Sequence, residues 1–276
     1  MQHDLANDRV LGVLGGMGPL ASAHFMTRLT LLTPATRDQE HIPAVLWSDP
    51  RIPDRSRGRL GGGPDPLPAL LRGVRGLRQA GCGAIAIPCN TAHGWYEDMA
   101  AEGLPILHIV DATADAIRRV APSGRIGIMG TAATLAMRLY HDRLEHQGWT
   151  CIQPDEADMR DLVLPAIAAV KANRVTDAYA PLAEAATRLA DRGAAAVVLG
   201  CTEIPLGIQA GPWQTLNIAL VDSIDALALA AIGWSRAPAG GGQVDASKPG
   251  SARTRRVPRA PSRDGPSPWT LTVKGV

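Results

Sequence analysis

Two cysteines stand out by where the sequence puts them. Cys89 follows the run Ala84-Ile85-Ala86-Ile87-Pro88, and Cys201 follows Ala195-Ala196-Val197-Val198-Leu199-Gly200. Each run is short, apolar and β-prone, the mark of a strand buried in a parallel sheet. Each cysteine leads into polar turn residues, Asn90-Thr91 and Thr202-Glu203. A thiol at a strand's carboxyl end, beside a helix start, lies where open α/β sheets bind ligands. The helix dipole and exposed N–H groups there favour its thiolate. Two such thiols facing one another suit inversion of a carbon α to a carboxylate. One thiolate removes the α-proton, the opposite thiol delivers another, and the roles swap in the reverse direction. A free cysteine titrates near ~8.5, so either state is reachable close to neutrality. The developing carbanion needs N–H donors at its carboxylate, which the turns Asn90-Thr91 and Thr202-Glu203 can supply. A sulfur–sulfur gap of roughly 7–8 Å would seat a tetrahedral carbon between two proton-transfer contacts.

The elements that must position these thiols repeat. Val10–Gly15 resembles Arg125–Gly130, and Gly12 and Gly127 are separated by almost the same interval as Cys89 and Cys201. Two matches at nearly one offset predict a duplicated unit. The expected fold is α/β, with two pseudo-symmetric doubly wound domains. Each is a central, mainly parallel sheet flanked by helices, and the active site lies in the cleft between them. Residues 1–105, completed by 214–236, are read as the first half, and 106–213 as the second. Strands are expected at Val10–Gly15, Ala44–Trp47, Ala84–Ile87, Ile106–Val110, Arg125–Gly130, Trp149–Gln153, Ala195–Leu199 and Ala219–Val221. Helices are expected at Leu20–Leu32, Leu67–Ala80, Ala112–Val120, Ala132–Gly148, Met159–Lys171, Asp177–Gly193 and Ser223–Ile232.

The chain has 276 residues and is 46% apolar, enough for two domains with a substantial core. The net charge of +2 hides an asymmetry, because Ala237–Val276 holds seven Lys/Arg against two Asp. That segment, rich in Gly, Pro, Ser and Arg, reads as a disordered tail, either a plain solvated end or a contact for an acidic partner. The body carries no basic face for nucleic acid, and no apolar run is long enough to span a membrane. Met1–Arg9 is polar without an apolar leader core. The four cysteines form no C-x-x-C pair, and a chain this long needs no disulfide framework, so a reducing cytoplasm is expected.

Other residues compete with plainer readings. Gly15-Gly16-Met17-Gly18-Pro19 is a strand–turn–helix junction that is no P-loop. It reads as a small carboxylate site, a nucleotide site, or a turn that merely needs glycine. The proline-stiffened loop Asp49–Ser56 presents Arg55 for bidentate carboxylate recognition, or as a solvated surface arginine. Gly61–Pro66 is a flexible loop and a candidate lid. Thr131 sits at the turn that opens the second half. Cys82 and Cys151 read as structural. His93, four residues after Cys89, has a spacing that can hold a metal, but no further Cys/His cluster accompanies it, so no metal is expected. Glu203 either orients and activates Cys201 or caps the turn that follows.

Four motifs together resemble the aspartate racemase group of the cofactor-independent aspartate/glutamate racemase superfamily. They are L-G-G-M-G-P at Leu14–Pro19, I-P-D-R-S at Ile52–Ser56, P-C-N-T-A-H at Pro88–His93 and G-C-T-E at Gly200–Glu203. The resemblance covers about Arg9 to Trp234. It implies a reaction free of pyridoxal phosphate, aspartate as substrate and usually a homodimer. It also implies Cys89 and Cys201 as the acid/base pair, with Asp54, Arg55, Ser56, Asn90, Thr91, Ala92 and Lys171 at substrate-contact positions. Ser56 departs from the family's usual threonine. Glu203 stands where glutamate racemases carry histidine, which together with Met17 in the glycine turn favours aspartate over glutamate. The alternatives are another superfamily enzyme (a broad-specificity or hydantoin racemase, or a maleate isomerase using one cysteine as nucleophile) or a silent dicarboxylate-binding protein.

Overall fold

The computed structural model describes residues 9–238. The expected tail lies outside the described residues except for Ala237 and Pro238. All described elements belong to one unit ending at Ala237.

In the first half, β1 (Leu11–Gly15), α1 (Pro19–Leu32), β2 (Ala44–Ser48), α2 (Arg55–Arg59), α3 (Leu67–Gln79), β3 (Ala84–Ala86), α4 (Tyr96–Ala100), β4 (Ile106–Leu107) and α5 (Ile109–Val120) follow in order. The second half continues with β5 (Arg125–Gly130), α6 (Ala132–Ala136), α7 (His141–His146), β6 (Thr150–Ile152), α8 (Glu156–Asp158), α9 (Leu164–Lys171), α10 (Tyr179–Asp191), β7 (Ala194–Gly200), α11 (Ile204–Ile208), β8 (Ala219–Asp222) and α12 (Ser223–Arg236). Both sheets are parallel, ordered β2-β1-β3-β4 and β6-β5-β7-β8, so the topology is duplicated strand for strand. β1 is buried along its whole length, as a strand covered by helices on both faces requires.

Three apolar clusters fill the structure. One lies under α3 on the first sheet, and one under α9 and α10 on the second. The third joins the halves: Leu11 and Val13 of β1, Phe25 of α1, Ile109 of α5, Ile126 and Ile128 of β5, and Leu227 of α12 share it. The cleft is therefore built on a continuous core rather than on a free hinge.

Ile106–Leu107 pairs with β3 at the edge of the first sheet, and Ala219–Asp222 pairs with β7 in the second. Several expectations are corrected. The strand expected to run to Val110 stops at Leu107, because His108 accepts a hydrogen bond from Val110 N and starts α5. The helix expected over Ala132–Gly148 breaks after Ala136, and Arg138 takes a left-handed conformation (φ 52°) before α7 begins. A π-helical turn, Met159–Val163, precedes α9. Among the described residues no helix is long and apolar enough to cross a membrane.

Candidate active site

Each catalytic candidate sits on a loop at the carboxyl end of a central strand. Pro88 stops β3 and the chain turns at Cys89, after which Thr91–Trp95 winds into a short 3-10 helix. The turn is held by His93. Its Nε2 accepts from Ile109 N at 3.2 Å, so its Nδ1–H donates to the Cys89 carbonyl at 3.0 Å. Burial keeps His93 neutral by pushing it down to about 4. Both its ring nitrogens are engaged with backbone, so it is a clamp on the Cys89 loop and not a metal ligand. In the second half β7 runs straight into Cys201, and α11 begins at Ile204.

Cys89 and Cys201, 5% and 4% exposed, line one narrow cavity of about 10 Å³. Met17, Asp54, Arg55, Ser56, Asn90, Thr91, Thr131, Lys171, Thr202 and Glu203 complete its wall. A wider space of about 410 Å³ shares Asp54, Arg55, Lys171 and Glu203 with it. Met17 and Arg55 come from the first half; Lys171 and Glu203 come from the second.

The glycine turn and the Asp49–Ser56 loop are built against each other. Gly16 has φ +89°, and a Cβ there would fall 2.5 Å from the Asp49 backbone, so only glycine fits. Ser22 accepts from Gly16 N and donates to the Gly18 carbonyl, pinning the turn to α1. Asp54 caps α2 by accepting from Arg57 N. Arg55 is buried and donates to the carbonyls of Ile52, Pro53 and Met17 at 2.9–3.1 Å. Its Nε is buried without a hydrogen-bond partner among the described residues.

The two thiols stand in different electrostatic surroundings. Cys201 Sγ donates to Glu203 Oε2 at 3.0 Å. Burial first, and the Glu203 charge second, push Cys201 well above the usual thiol range; Lys171 and the Glu203 backbone N–H oppose this. Glu203 Oε1 accepts from Gly18 N at 3.2 Å, so this carboxylate bridges the two halves. Lys171 ends α9 at the mouth of the cleft. Burial lowers its pKa, but the carboxylates of Glu203 and Asp54 and the thiolate form of either cysteine raise it by more, so its ammonium is held charged.

The family described as Asp/Glu/Hydantoin racemase matches residues 14–231. The chain belongs to this racemase family.

Among solved structures, this racemase is similar to the Picrophilus torridus aspartate racemase at 30% identity, with a TM-score of 0.73, covering 82% of this chain and 94% of that one. The Francisella tularensis glutamate racemase in complex with D-glutamate shares the fold at 16% identity and a TM-score of 0.60, over 82% and 80% of the two chains. Among curated proteins, the Bacillus subtilis broad specificity amino-acid racemase RacX is 30% identical over 169 residues, 59% of this chain and 71% of that one. The two-domain parallel-sheet architecture is therefore that of the Asp/Glu racemases.

The structure brings together all but one of the residues singled out in the racemase sequence. The exception is Ala92, which is fully buried in the apolar cluster beneath the Cys89 loop and does not line the cavity. Four supporting residues lacked a sequence signal strong enough to single them out. Ser22 holds the glycine turn, and Thr134 joins Thr91 and Thr131 in a triangle of hydroxyls 2.9–3.0 Å apart. Tyr140 and Ser223 bond the Asn90 side chain. The D-S-I-D run Asp222–Asp225 does mark a helix start at Ser223. Nothing in the sequence ties it to Asn90.

Proposed function

We propose that this racemase interconverts L- and D-aspartate by proton transfer between Cα and two cysteines, without a cofactor. The observation that carries the reading is that topologically equivalent strand-end thiols, Cys89 and Cys201, line one cavity together with the cations Arg55 and Lys171. Cys201 starts as the acid, because its surroundings favour the thiol, and Cys89 starts as the base. The Cys89 thiolate takes the Cα hydrogen as a proton. The C–H electron pair stays on carbon and spreads into the neighbouring carboxylate. The Cys201 thiol then gives its proton to the opposite face of the same carbon. The two sulfurs end with their protonation states exchanged, ready for the other enantiomer. The turn N–H groups after each cysteine stabilise the charge that builds on that carboxylate, and Lys171 meets the second carboxylate of the substrate. The 30% identity to an aspartate racemase supports aspartate. The reading includes a cytoplasmic homodimer, for which sedimentation gives the subunit number.

The test is racemisation of L- and D-aspartate, glutamate, alanine and methionine, followed by circular dichroism after exhaustive chelation and dialysis. Aspartate turnover is expected to survive, and Cys89→Ala and Cys201→Ala are each expected to abolish it. Activity restored only by an added cofactor, or retained by either cysteine variant, would sink the two-thiol mechanism. A second reading, a broad-specificity amino-acid racemase, has its own support. Arg55 already gives three N–H bonds to the protein's own carbonyls, leaving less for a second substrate carboxylate. The relative named as a broad specificity amino-acid racemase points the same way. Preference for alanine or methionine over aspartate selects this reading.

A further inference from the structure

Tyr140 is fully buried, lies outside the cavity wall and takes no part in the chemistry proposed above. Its hydroxyl nevertheless donates to Asn90 Oδ1 at 2.6 Å. Asn90 Nδ2 donates to Ser223 Oγ at 3.1 Å, and Ser223 Oγ donates to the Leu199 carbonyl at 2.8 Å. The direction of this chain is forced. A carbonyl only accepts, so Ser223 spends its single proton on Leu199. Ser223 must then accept from Asn90, which turns Nδ2 toward it and Oδ1 toward Tyr140. One Nδ2–H of Asn90 is left unspent on a residue that lines the cavity.

The ends of the chain matter more than its length. Asn90 is the residue after Cys89, on the loop following β3. Leu199 is two residues before Cys201, in β7. The Tyr140 ring also fills the space beside Gly200, where a Cβ would fall 3.1 Å from the ring and 2.8 Å from the Met129 carbonyl. One buried relay therefore grips both cysteine-bearing loops, from opposite halves of the fold.

We propose that Tyr140 and Ser223 are positioning residues of the site, and that their relay through Asn90 sets the separation and mutual orientation of the Cys89 and Cys201 thiols. The inference rests on the two-thiol reading. Proton transfer at both faces of one carbon demands two sulfurs at a fixed spacing, and small misplacements are costly in rate. Substrate binding makes no such demand, so the relay governs kcat and leaves KM nearly unchanged.

The experiment compares wild type with Tyr140→Phe, Ser223→Ala and the double variant. Tyr140→Phe keeps the ring against Gly200 and removes only the donor. Racemisation gives kcat and KM, proton NMR in D2O gives Cα exchange with and without inversion, and thermal unfolding reports the fold. Each single variant is expected to lower kcat by about 10- to 100-fold with KM within about twofold. Exchange without inversion should rise relative to inversion, because the first proton transfer survives while the second thiol is misaligned. Both changes act through the same amide, so the double variant should lose little more than the worse single one. Unchanged kcat, multiplicative losses in the double variant, or losses that follow unfolding at the wild-type exchange ratio would overturn the relay. A wild-type enzyme that racemises without solvent exchange at Cα would remove the two-thiol reading and this inference together, whereas normal wild-type exchange with unaffected variants removes the inference alone.

Discussion

Replacing Glu203 by glutamine probes the asymmetry between the two thiols. Glu203 is 3% exposed, accepts from Cys201 Sγ at 3.0 Å and holds Gly18 N at 3.2 Å. Glutamine keeps the shape and one acceptor oxygen, so the Gly18 contact survives. The negative charge beside the thiol does not. A hydrogen bond to a buried charged group is worth about 1.5–3 kcal/mol. If that stabilisation orients the Cys201 proton toward the substrate, its loss costs roughly 10- to 100-fold in kcat/KM at neutral pH. The pH dependence fixes the sign. Burial and Glu203 both raise Cys201, and Glu203→Gln removes the second cause while burial remains. Cys201 then loses its proton at lower pH, and the alkaline limb of the kcat/KM profile moves toward neutrality. The equilibrium constant between enantiomers is one, so kcat/KM must stay equal in the two directions at every pH. The limb therefore moves identically for L- and D-aspartate, while kcat and KM separate between them. Circular dichroism assays across the pH range with both enantiomers give the profiles. An alkaline limb that stays in place or moves upward in a folded variant, or neutral-pH activity at or above wild type, would refute this account of Glu203.

Three further outcomes are expected. Lys171→Ala should lower kcat/KM for aspartate by about 10²-fold, the scale of losing a desolvated charged partner, with a much smaller effect on any neutral amino acid, read from parallel racemisation assays. Arg55→Ala should lower the unfolding midpoint more than Lys171→Ala does, because it strands the carbonyls of Met17, Ile52 and Pro53, at about 1–3 kcal/mol for each buried acceptor left unsatisfied. His93 should make the fold acid-sensitive. Its native value lies near 4, below the ordinary 6.5 of the unfolded chain, so the unfolded state binds the extra proton in between. The contribution of about 3 kcal/mol is complete above pH ~6.5 and is lost as pH falls toward ~4; urea unfolding at pH 7 and pH 5 should show the loss, and His93→Gln should reduce it without abolishing it, because burial also holds His108 neutral.

The sequence showed the site more clearly than it showed the boundaries. The strand-end cysteines, the glycine turn and the Ile52–Ser56 loop are local patterns, each written in consecutive residues, and Cys89, Cys201, Met17, Asp54, Arg55 and Ser56 from them line one cavity. β4 is only two residues long, and two residues carry no periodicity, so its membership of the first sheet rests on pairing with Ile85 and Ala86 that no local signal encodes. The break after Ala136 follows from Tyr140 turning into the core, a tertiary event overriding helix propensity. The same holds for the relay around Asn90, whose partners lie 50 and 133 residues away. Arg55 is the sharpest case. Its place in the site was legible, but its carbonyl bonds were not, and those bonds decide how much of its charge is left for a ligand.

The duplicated topology and the unequal residues it carries answer different demands of the proposed reaction. Enantiomers differ in the face from which hydrogen reaches Cα, so the group that handles the proton must be present twice, once on each side. A repeated β-α unit provides this directly, with Cys89 after β3 and Cys201 after β7 in the same sheet position. The carboxylate and amino groups of both enantiomers can share one place, so their contacts need no repetition. Where the first half has Thr91 two residues beyond its cysteine, the second has Glu203; where one cap is His108, the other is Asp222. Lys171 and Arg55 each occur once in the cavity wall. A site with two equivalent thiols and identical surroundings would start with no preferred thiolate. In the proposed reaction Glu203 would remove that degeneracy by holding the proton on Cys201. A perturbation that made the two surroundings alike should therefore slow the enzyme even with both cysteines in place, and Glu203→Gln is the smallest such change.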